Sequence, residues 1–240
     1  METKWEQLSD QIWLQTSKAY GVTTDAFLLA RFASPKPGDA IADLGTGCGV
    51  IPLLLSRDFS PRKIVAVDIQ MNAISQFEQS IIRSGLMDRV HAVCGDFRLP
   101  VPELATGDFD LVTCNPPYFE DKTGKIAKEQ SAACARSEIC CTLKEVCISA
   151  ARLLRHGGRV CFCFRPERLC DLFYAMRLAG LEPKRLCMVH NEVSQSPWLV
   201  LVEGRKGGRP SLQIEPPFAL TKDGRPTAAS DALYRTLKGE

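Results

Sequence analysis

Ala40-Ile41-Ala42-Asp43-Leu44-Gly45-Thr46-Gly47-Cys48-Gly49, continuing into Val50-Ile51-Pro52-Leu53-Leu54-Leu55-Ser56, decides the fold. Residues 40–44 are a short apolar run, the mark of a buried strand, and residues 50–56 read as a helix. Three alternating glycines between them let the backbone turn tightly and pass close to a ligand. The alternative is a generic glycine-rich strand-to-helix turn. The dinucleotide pattern G-x-G-x-x-G does not fit, because the register from Gly45 meets Val50 and the register from Gly47 meets Pro52.

Downstream, Ile64-Val65-Ala66-Val67-Asp68 is a second strand ending in a carboxylate, which can accept both hydroxyls of a ribose. A helix over Met71–Arg83 follows, with Ile74, Phe77, Ile81 and Ile82 on one face and Gly85 as its stop. Val90–Cys94 is a third strand, with Gly95-Asp96-Phe97 at its carboxyl end. Taken singly, Asp68 and Asp96 read equally well as helix caps. At successive strand ends beside the glycine loop they form a set.

A fourth strand, Asp110-Leu111-Val112-Thr113-Cys114, stops at Asn115-Pro116-Pro117-Tyr118, since consecutive prolines cannot continue a ladder. Ligands of open α/β sheets bind at the carboxyl ends of strands. The chemistry there suits a planar amine: the Asn115 side-chain oxygen and the Pro116 carbonyl accept, and Tyr118 offers a stacking face. The bland alternative is a proline-stiffened turn with a surface tyrosine.

The remaining chain alternates in the same way. Upstream, Gln11–Gln15 reads as a short strand, and Thr23 or Thr24 caps a helix with Leu28, Leu29 and Phe32 on one face. Phe119–Ser131 reads as a polar, mobile loop over the site. A helix is expected over Ile139–Leu154, stopped by His156-Gly157-Gly158, then a strand over Arg159–Phe164 and a helix over Glu167–Leu178 ended by Gly180. Strands are expected over Arg185–His190 and Trp198–Glu203, then a flexible basic loop, Gly204-Arg205-Lys206-Gly207-Gly208-Arg209-Pro210, and a terminal helix from Asp231. Alternating strands and helices imply an α/β fold with a parallel sheet covered on both faces, and the two late strands an antiparallel edge.

With 240 residues, 45% hydrophobic and 24% charged, the chain suits one α/β domain, with a core over about 20–203 and a basic extension over 204–240. No apolar run approaches the roughly 18–20 residues of a membrane span. The first residues lack the basic start and apolar core of a secretory signal, so a cytoplasmic protein is expected. The 11 cysteines are scattered, without C-x-x-C or histidines at ligand spacing, so reduced core thiols are expected and no metal site. Net charge is −4 over residues 1–118, +4 over 119–168 and +3 over 204–240, a modest surface for an anionic partner if the basic segments face one side. Ordinary solvated lysines and arginines are the alternative.

The glycine stretch resembles the D/E-x-G-x-G-x-G motif of S-adenosylmethionine-dependent methyltransferases, and Asn115-Pro116-Pro117-Tyr118 resembles the N-P-P-Y signature of those that methylate adenine N6 or glutamine. The motif order resembles the class I methyltransferase fold, Rossmann-like, with seven strands and the last reversed. Within it the chain resembles the bacterial tRNA1(Val) adenine-37 N6-methyltransferase family. That likeness rests on Thr24-Asp25-Ala26-Phe27-Leu28-Leu29, Asp43–Gly49, Asn115–Phe119, Ala135-Arg136-Ser137-Glu138 and Leu201–Gly208.

The resemblance implies a cofactor site of Thr24, Asp25, Asp43, Gly45, Thr46, Gly47, Gly49, Asp68, Ile69, Asp96, Phe97 and Asn115, with Asp96 or its neighbour at the adenine amine. It implies catalysis at Asn115, Pro116, Pro117 and Tyr118, with Tyr118 and Phe119 stacking on a base of the tRNA anticodon loop. The basic Lys122, Lys125, Lys128, Arg136, Arg205, Lys206 and Arg209 are expected to add RNA affinity without base specificity. The transfer itself needs no metal. A methyltransferase of rRNA adenine or guanine is a second reading and a glutamine methyltransferase of release factors a third, disfavoured because the glycine loop starts too early to leave room for a preceding helical domain. A catalytically silent cofactor-binding module is the non-enzyme reading.

Overall fold

The computed structural model describes residues 2–116 and 141–234. The expected loop over Phe119–Ser131, with Pro117, Tyr118, Phe119, Lys122, Lys125, Lys128 and Arg136, lies outside the described residues.

The chain starts with a hairpin, β1 (Thr3–Gln7) and β2 (Trp13–Ser17), followed by α1 (Thr24–Ala33), β3 (Ala40–Leu44) and α2 (Val50–Asp58). Next come β4 (Lys63–Asp68), α3 (Met71–Arg83), β5 (Val90–Cys94) and β6 (Phe109–Cys114). Then follow α4 (Leu143–Leu153), β7 (Leu154–Phe164), α5 (Leu169–Leu178), β8 (Leu181–Glu192) and β9 (Leu199–Lys206). β10 (Gln213–Ile214), β11 (Phe218–Lys222), β12 (Arg225–Pro226) and α6 (Ala228–Tyr234) complete the described chain.

Seven strands make the core sheet in the order β5-β4-β3-β6-β7-β9-β8. All are parallel except β9, which runs antiparallel to both neighbours. The expected mostly parallel sheet with one reversed strand is therefore present. Its reversed strand is β9, the last of the seven in chain order, and with β8 it forms the expected antiparallel edge of this core; β9 inserts between β7 and β8 because the long β8–β9 hairpin folds back into the gap. Beyond β8 the sheet is extended by β10 and β11, parallel to it, and by β12. Helices α1, α2 and α3 cover one face, where Leu29, Leu54 and Phe77 are buried, and α4 and α5 cover the other with Val146, Leu172 and Met176.

The sheet reverses its winding between β3 and β6, the place where open α/β sheets leave a crevice. β3 is buried along its whole length, as a doubly covered central strand must be. Ile74, Phe77 and Ile81 of α3 face the core, but Ile82 is 54% exposed. Successive helical residues diverge by about 100°, so Ile81 and Ile82 cannot both point inward.

Four further expectations are corrected. His156-Gly157-Gly158 does not stop a helix: α4 ends at Leu153 and the glycines lie within β7, where the register against β6 shifts between Phe109 and Leu111. α4 starts at a capping box, Thr142 with Glu145, which fixes its first turn. Gly204, Arg205 and Lys206 belong to β9 and not to a flexible loop. The first residues form a whole hairpin that packs on α3, with Ser84 and Ser80 hydroxyls accepting from the Trp13 and Gln15 amides at 2.9 and 2.8 Å.

The C-terminal helix packs on α1, with the Phe27 and Tyr234 rings 5.3 Å apart and the Tyr234 hydroxyl donating to Thr24 Oγ1 at 3.1 Å. Nine cysteines are described, all free, and seven of them are buried. No helix among the described residues is long and apolar enough to cross a membrane.

Gly49 caps α2 at φ 83°, and a Cβ there would lie 1.9 Å from the Phe77 ring of α3. Gly49→Ala should therefore cost about 2–5 kcal/mol, combining left-handed backbone strain with overpacking. Gly85, at φ 64° but with open space, should cost only the strain, about 1–2 kcal/mol. Equal losses in urea unfolding would show that Phe77 yields freely.

Candidate active site

The glycine loop is fastened from below and open above. Gly45 and Thr46 amides donate to the Val67 carbonyl at 2.9 and 3.1 Å, tying the loop to β4. Gly45 and Gly47 have positive φ and nothing within 4 Å of where a Cβ would stand, so a ligand can approach their backbone. Gly49, by contrast, serves the packing of α2 on α3.

Asp68, at the end of β4, holds this loop to the start of α3. Its Oδ2 accepts from the Gly47 amide at 2.8 Å and its Oδ1 from the Gln70 amide at 2.9 Å. Oδ2 keeps a second acceptor position for a ribose hydroxyl, and a second hydroxyl could take the place of the long bond that Oδ1 receives from Gln70 Nε2. The Gln70 side chain bridges outward: its Nε2 is 3.4 Å from Asp68 Oδ1, and its Oε1 accepts from the Tyr20 hydroxyl at 2.7 Å. Partial burial, then the Asp68 charge, hold the Tyr20 phenol above its ordinary pKa, so it stays a donor.

Asp43 is 1% exposed. Its Oδ1 accepts from Thr113 Oγ1 of β6 at 2.6 Å. Burial pushes the carboxyl up to about 7, against the Thr113 and Thr46 hydroxyls, which pull it down. Thr46 acts on the carboxyl from nearby without a hydrogen bond of ordinary geometry, so that Asp43 Oδ2 and Thr46 Oγ1 are both buried with no such bond among the described residues. The site thus retains polar capacity under the open loop. A ligand carrying an ammonium, ribose hydroxyls and an adenine amine fits these groups, and S-adenosylmethionine has all three.

Asn115 leaves β6 beside the last residues of β7. Cys163 Sγ donates to Asn115 Oδ1 at 2.8 Å, and Pro116 is buried next to it. Burial, then the charge of Asp25, hold the Cys163 thiol well above its ordinary pKa, which also places Asp25 of α1 close to this pair. The second lone pair of Asn115 Oδ1 remains for a substrate N–H. Thr24 is tied to the C-terminal helix, and Ile69, beside Asp68, is 37% exposed.

Asp96 is already engaged. Arg98 donates to its carboxylate from the backbone at 2.9 Å and from the guanidinium at 2.6 to 3.0 Å. These bonds, the Arg98 side chain first, hold its pKa below the usual value. Phe97 is half-buried, and its carbonyl accepts from Arg152 at 2.8 Å.

Arg205, Lys206 and Arg209 lie elsewhere. Arg205 is in register with Arg159, midway along β7, and with Glu182 at the start of β8, so the basic stretch lies towards the end of the sheet opposite Asn115. Arg205 and Lys206 bond the Gly157 and Leu154 carbonyls at 3.0 and 2.7 Å. Tyr20, Gln70, Thr113 and Cys163 escaped the sequence reading. Thr113 alone carried a signal, because it lies in the strand that ends at Asn115.

A parallel sheet with one inverted strand, and a crevice built where β3 and β6 part, define a class I methyltransferase. A predicted O-methyltransferase from Agrobacterium tumefaciens shares the fold at 19% identity with a TM-score of 0.71, covering 90% of this chain and 98% of that one. The family model of the Methyltransferase small domain matches residues 22–165. A tRNA1(Val) (adenine(37)-N6)-methyltransferase of Porphyromonas gingivalis is 30% identical, covering 80% of this chain and 76% of the relative. The one from Vibrio campbellii is 30% identical over 70% of this chain and 68% of the relative. The chain belongs to the methyltransferase small domain family and, within it, to the tRNA1(Val) (adenine(37)-N6)-methyltransferases.

Asp68→Ala should weaken S-adenosylmethionine binding by about 1.5–3 kcal/mol, the scale of hydrogen bonds to a charged group, and Tyr20→Phe by about 0.5–1.5 kcal/mol. Calorimetry showing unchanged affinity in Asp68→Ala would remove that residue from the site. Asp43 gives a second expectation. Its folded pKa is raised from 3.8 to about 7, so its contribution to stability is present at acid pH and lost as pH rises through that window. Asp43→Asn should therefore gain stability relative to the parent chain between those pH values, and a gap independent of pH in urea unfolding would refute the shift.

Proposed function

We propose that this chain transfers a methyl group from S-adenosylmethionine to N6 of adenine 37 in the anticodon loop of tRNA1(Val). The observation that carries it is Asn115, an amide acceptor at the strand end beside the glycine loop, its oxygen fixed by a buried thiol. Bound S-adenosylmethionine supplies an electrophilic methyl on a sulfonium. Asn115 Oδ1 and the Pro116 carbonyl accept the two hydrogens of the adenine amine. That orients a weak nucleophile and supports the positive charge that grows on nitrogen during transfer. Cys163 keeps the Asn115 oxygen in place and, as a thiol of raised pKa, does so as a donor at neutral pH. Asp68, Gly45 and Gly47 hold the cofactor so that nitrogen, carbon and sulfur align. Tyr118 is proposed to stack on the withdrawn base, at a cost of about 1–3 kcal/mol when removed.

Asn115→Ala should lower turnover by about 10²–10³ with cofactor affinity near normal, by analogy with loss of one oxyanion-hole donor. Cys163→Ala should lower it by up to about 10², the scale of a displaced reacting group, and Cys163→Ser, which restores a donor, should recover most of it. Equal turnover in Cys163→Ala and the parent chain would show that the thiol only fills space. The decisive assay offers labelled cofactor to unmodified tRNA, rRNA and a release factor in parallel. Label appearing as N5-methylglutamine overturns the RNA reading, and label in rRNA alone overturns the tRNA assignment.

A further inference from the structure

Asn115 has a tall neighbour on one side. It stands beside Cys163 of β7, which is in register with Leu201 of β9, itself in register with Cys187 of β8. β8 continues from that level to Glu192, and Thr221 of β11 pairs with Glu192. Five residues at about 3.3 Å each carry β8 roughly 16 Å beyond that level along its own direction, which the twist of the sheet turns away from that of β6. From β6 to β11 there are four strand spacings of about 4.8 Å, so the wall stands roughly 19 Å to the side. Its top is the β11–β12 hairpin, whose turn residues Asp223 and Gly224 have φ of 52° and 73°.

That turn is clamped. The Glu192 carboxylate accepts from Thr221 Oγ1 at 2.7 Å and from the Asp223, Gly224 and Val193 amides at 3.0, 3.3 and 3.2 Å. Lys222 and Arg225 flank the turn, both exposed and without an ion pair among the described residues. Arg165, also exposed, directly follows the last residue of β7, between Asn115 and the wall.

We propose that the clamped β11–β12 hairpin is an RNA-backbone contact, with Lys222 and Arg225 gripping phosphates of the substrate while its target base reaches Asn115. This rests on the tRNA reading above. It moves the RNA surface from the Gly204–Arg209 stretch, at the far end of the sheet, to a wall on the active-site side. A rigid tip suits this task, because a turn whose backbone is already ordered loses little further freedom on binding. A base read at one point and a strand held roughly 19 Å to the side fit a folded RNA loop and its stem.

The test uses the full chain and unmodified tRNA, with binding measured across a salt series. The Lys222→Ala/Arg225→Ala double variant should reduce the slope of log K against log salt by roughly 1.5, at about 0.7–0.9 for each phosphate no longer neutralised, with cofactor affinity unchanged. Arg209→Ala should leave the slope alone. Glu192→Ala discriminates further: it removes a negative charge, so pure long-range attraction predicts tighter binding, whereas loss of the clamp predicts weaker binding. A double variant with the parent slope overturns the proposal while leaving the tRNA reading intact. Tighter binding by Glu192→Ala overturns the clamp. A parent chain without tRNA affinity overturns both readings.

Discussion

The hydrogen bond from Thr113 to Asp43 sets the geometry on which the rest of the site depends. The two residues are direct cross-strand neighbours of β6 and β3, both buried, 2.6 Å apart between Oγ1 and Oδ1. A carboxyl in the middle of a sheet is costly unless its oxygens are bonded, so the pair locks the level of one strand against the other. Leu44 faces Cys114 in that register, so Gly45 and Asn115 leave the sheet together. One carries the cofactor loop and the other the acceptor for the methylated amine. Their alignment is a consequence of strand pairing.

Most of the alternation was legible because each element repeats its own period. β3, β4, α3 and β5 have apolar runs bounded by glycine or a carboxylate at the strand end. The failures share a cause, which is that local pattern was weaker than tertiary pairing. Thr3–Gln7 is polar but for Trp5 and becomes a strand because β2 pairs with it and Arg83 of α3 packs on the Trp5 ring. β10 and β12 are two residues long, so no periodicity can announce them. His156-Gly157-Gly158 has the composition of a helix stop, yet the register shift of β7 against β6 uses it.

The site divides in the same way. Asp43, Asp68 and Asn115 were legible because strand ends position them, and a strand end can be read from sequence. Gln70 and Cys163 were not, because their roles come from contacts with Tyr20 and Asn115 across 50 and 48 residues. Charge was the least directional signal. Gly204–Arg209 is the densest basic stretch near the C-terminus, but a run of lysines and arginines carries no information about direction. β9 enters the sheet inverted, so its carboxyl end, with Arg205 and Lys206, points away from the crevice. Lys222 and Arg225, separated by a turn and inconspicuous in sequence, are carried to the active-site side because β11 is parallel to β8.

Methyl transfer to an aromatic amine asks for acceptors and alignment, with no strong base, and the protonation states here suit that. Burial keeps Cys163 and Tyr20 protonated, so both remain donors that orient Asn115 and Gln70. Asp43 is the exception, with its carboxyl raised to about 7 and one buried oxygen unpartnered. A neutral ligand would leave that raised pKa unrelieved. A cation bound over the glycine loop favours the ionised form and so lowers its pKa. By linkage, the same coupling makes such a ligand bind more tightly once the carboxyl has ionised. S-adenosylmethionine carries a sulfonium and an ammonium, whereas its demethylated product has lost the sulfonium charge. Asp43's ionisation is therefore coupled to the charge of whatever lies over the glycine loop, a coupling that comes from where β3 buries its carboxyl.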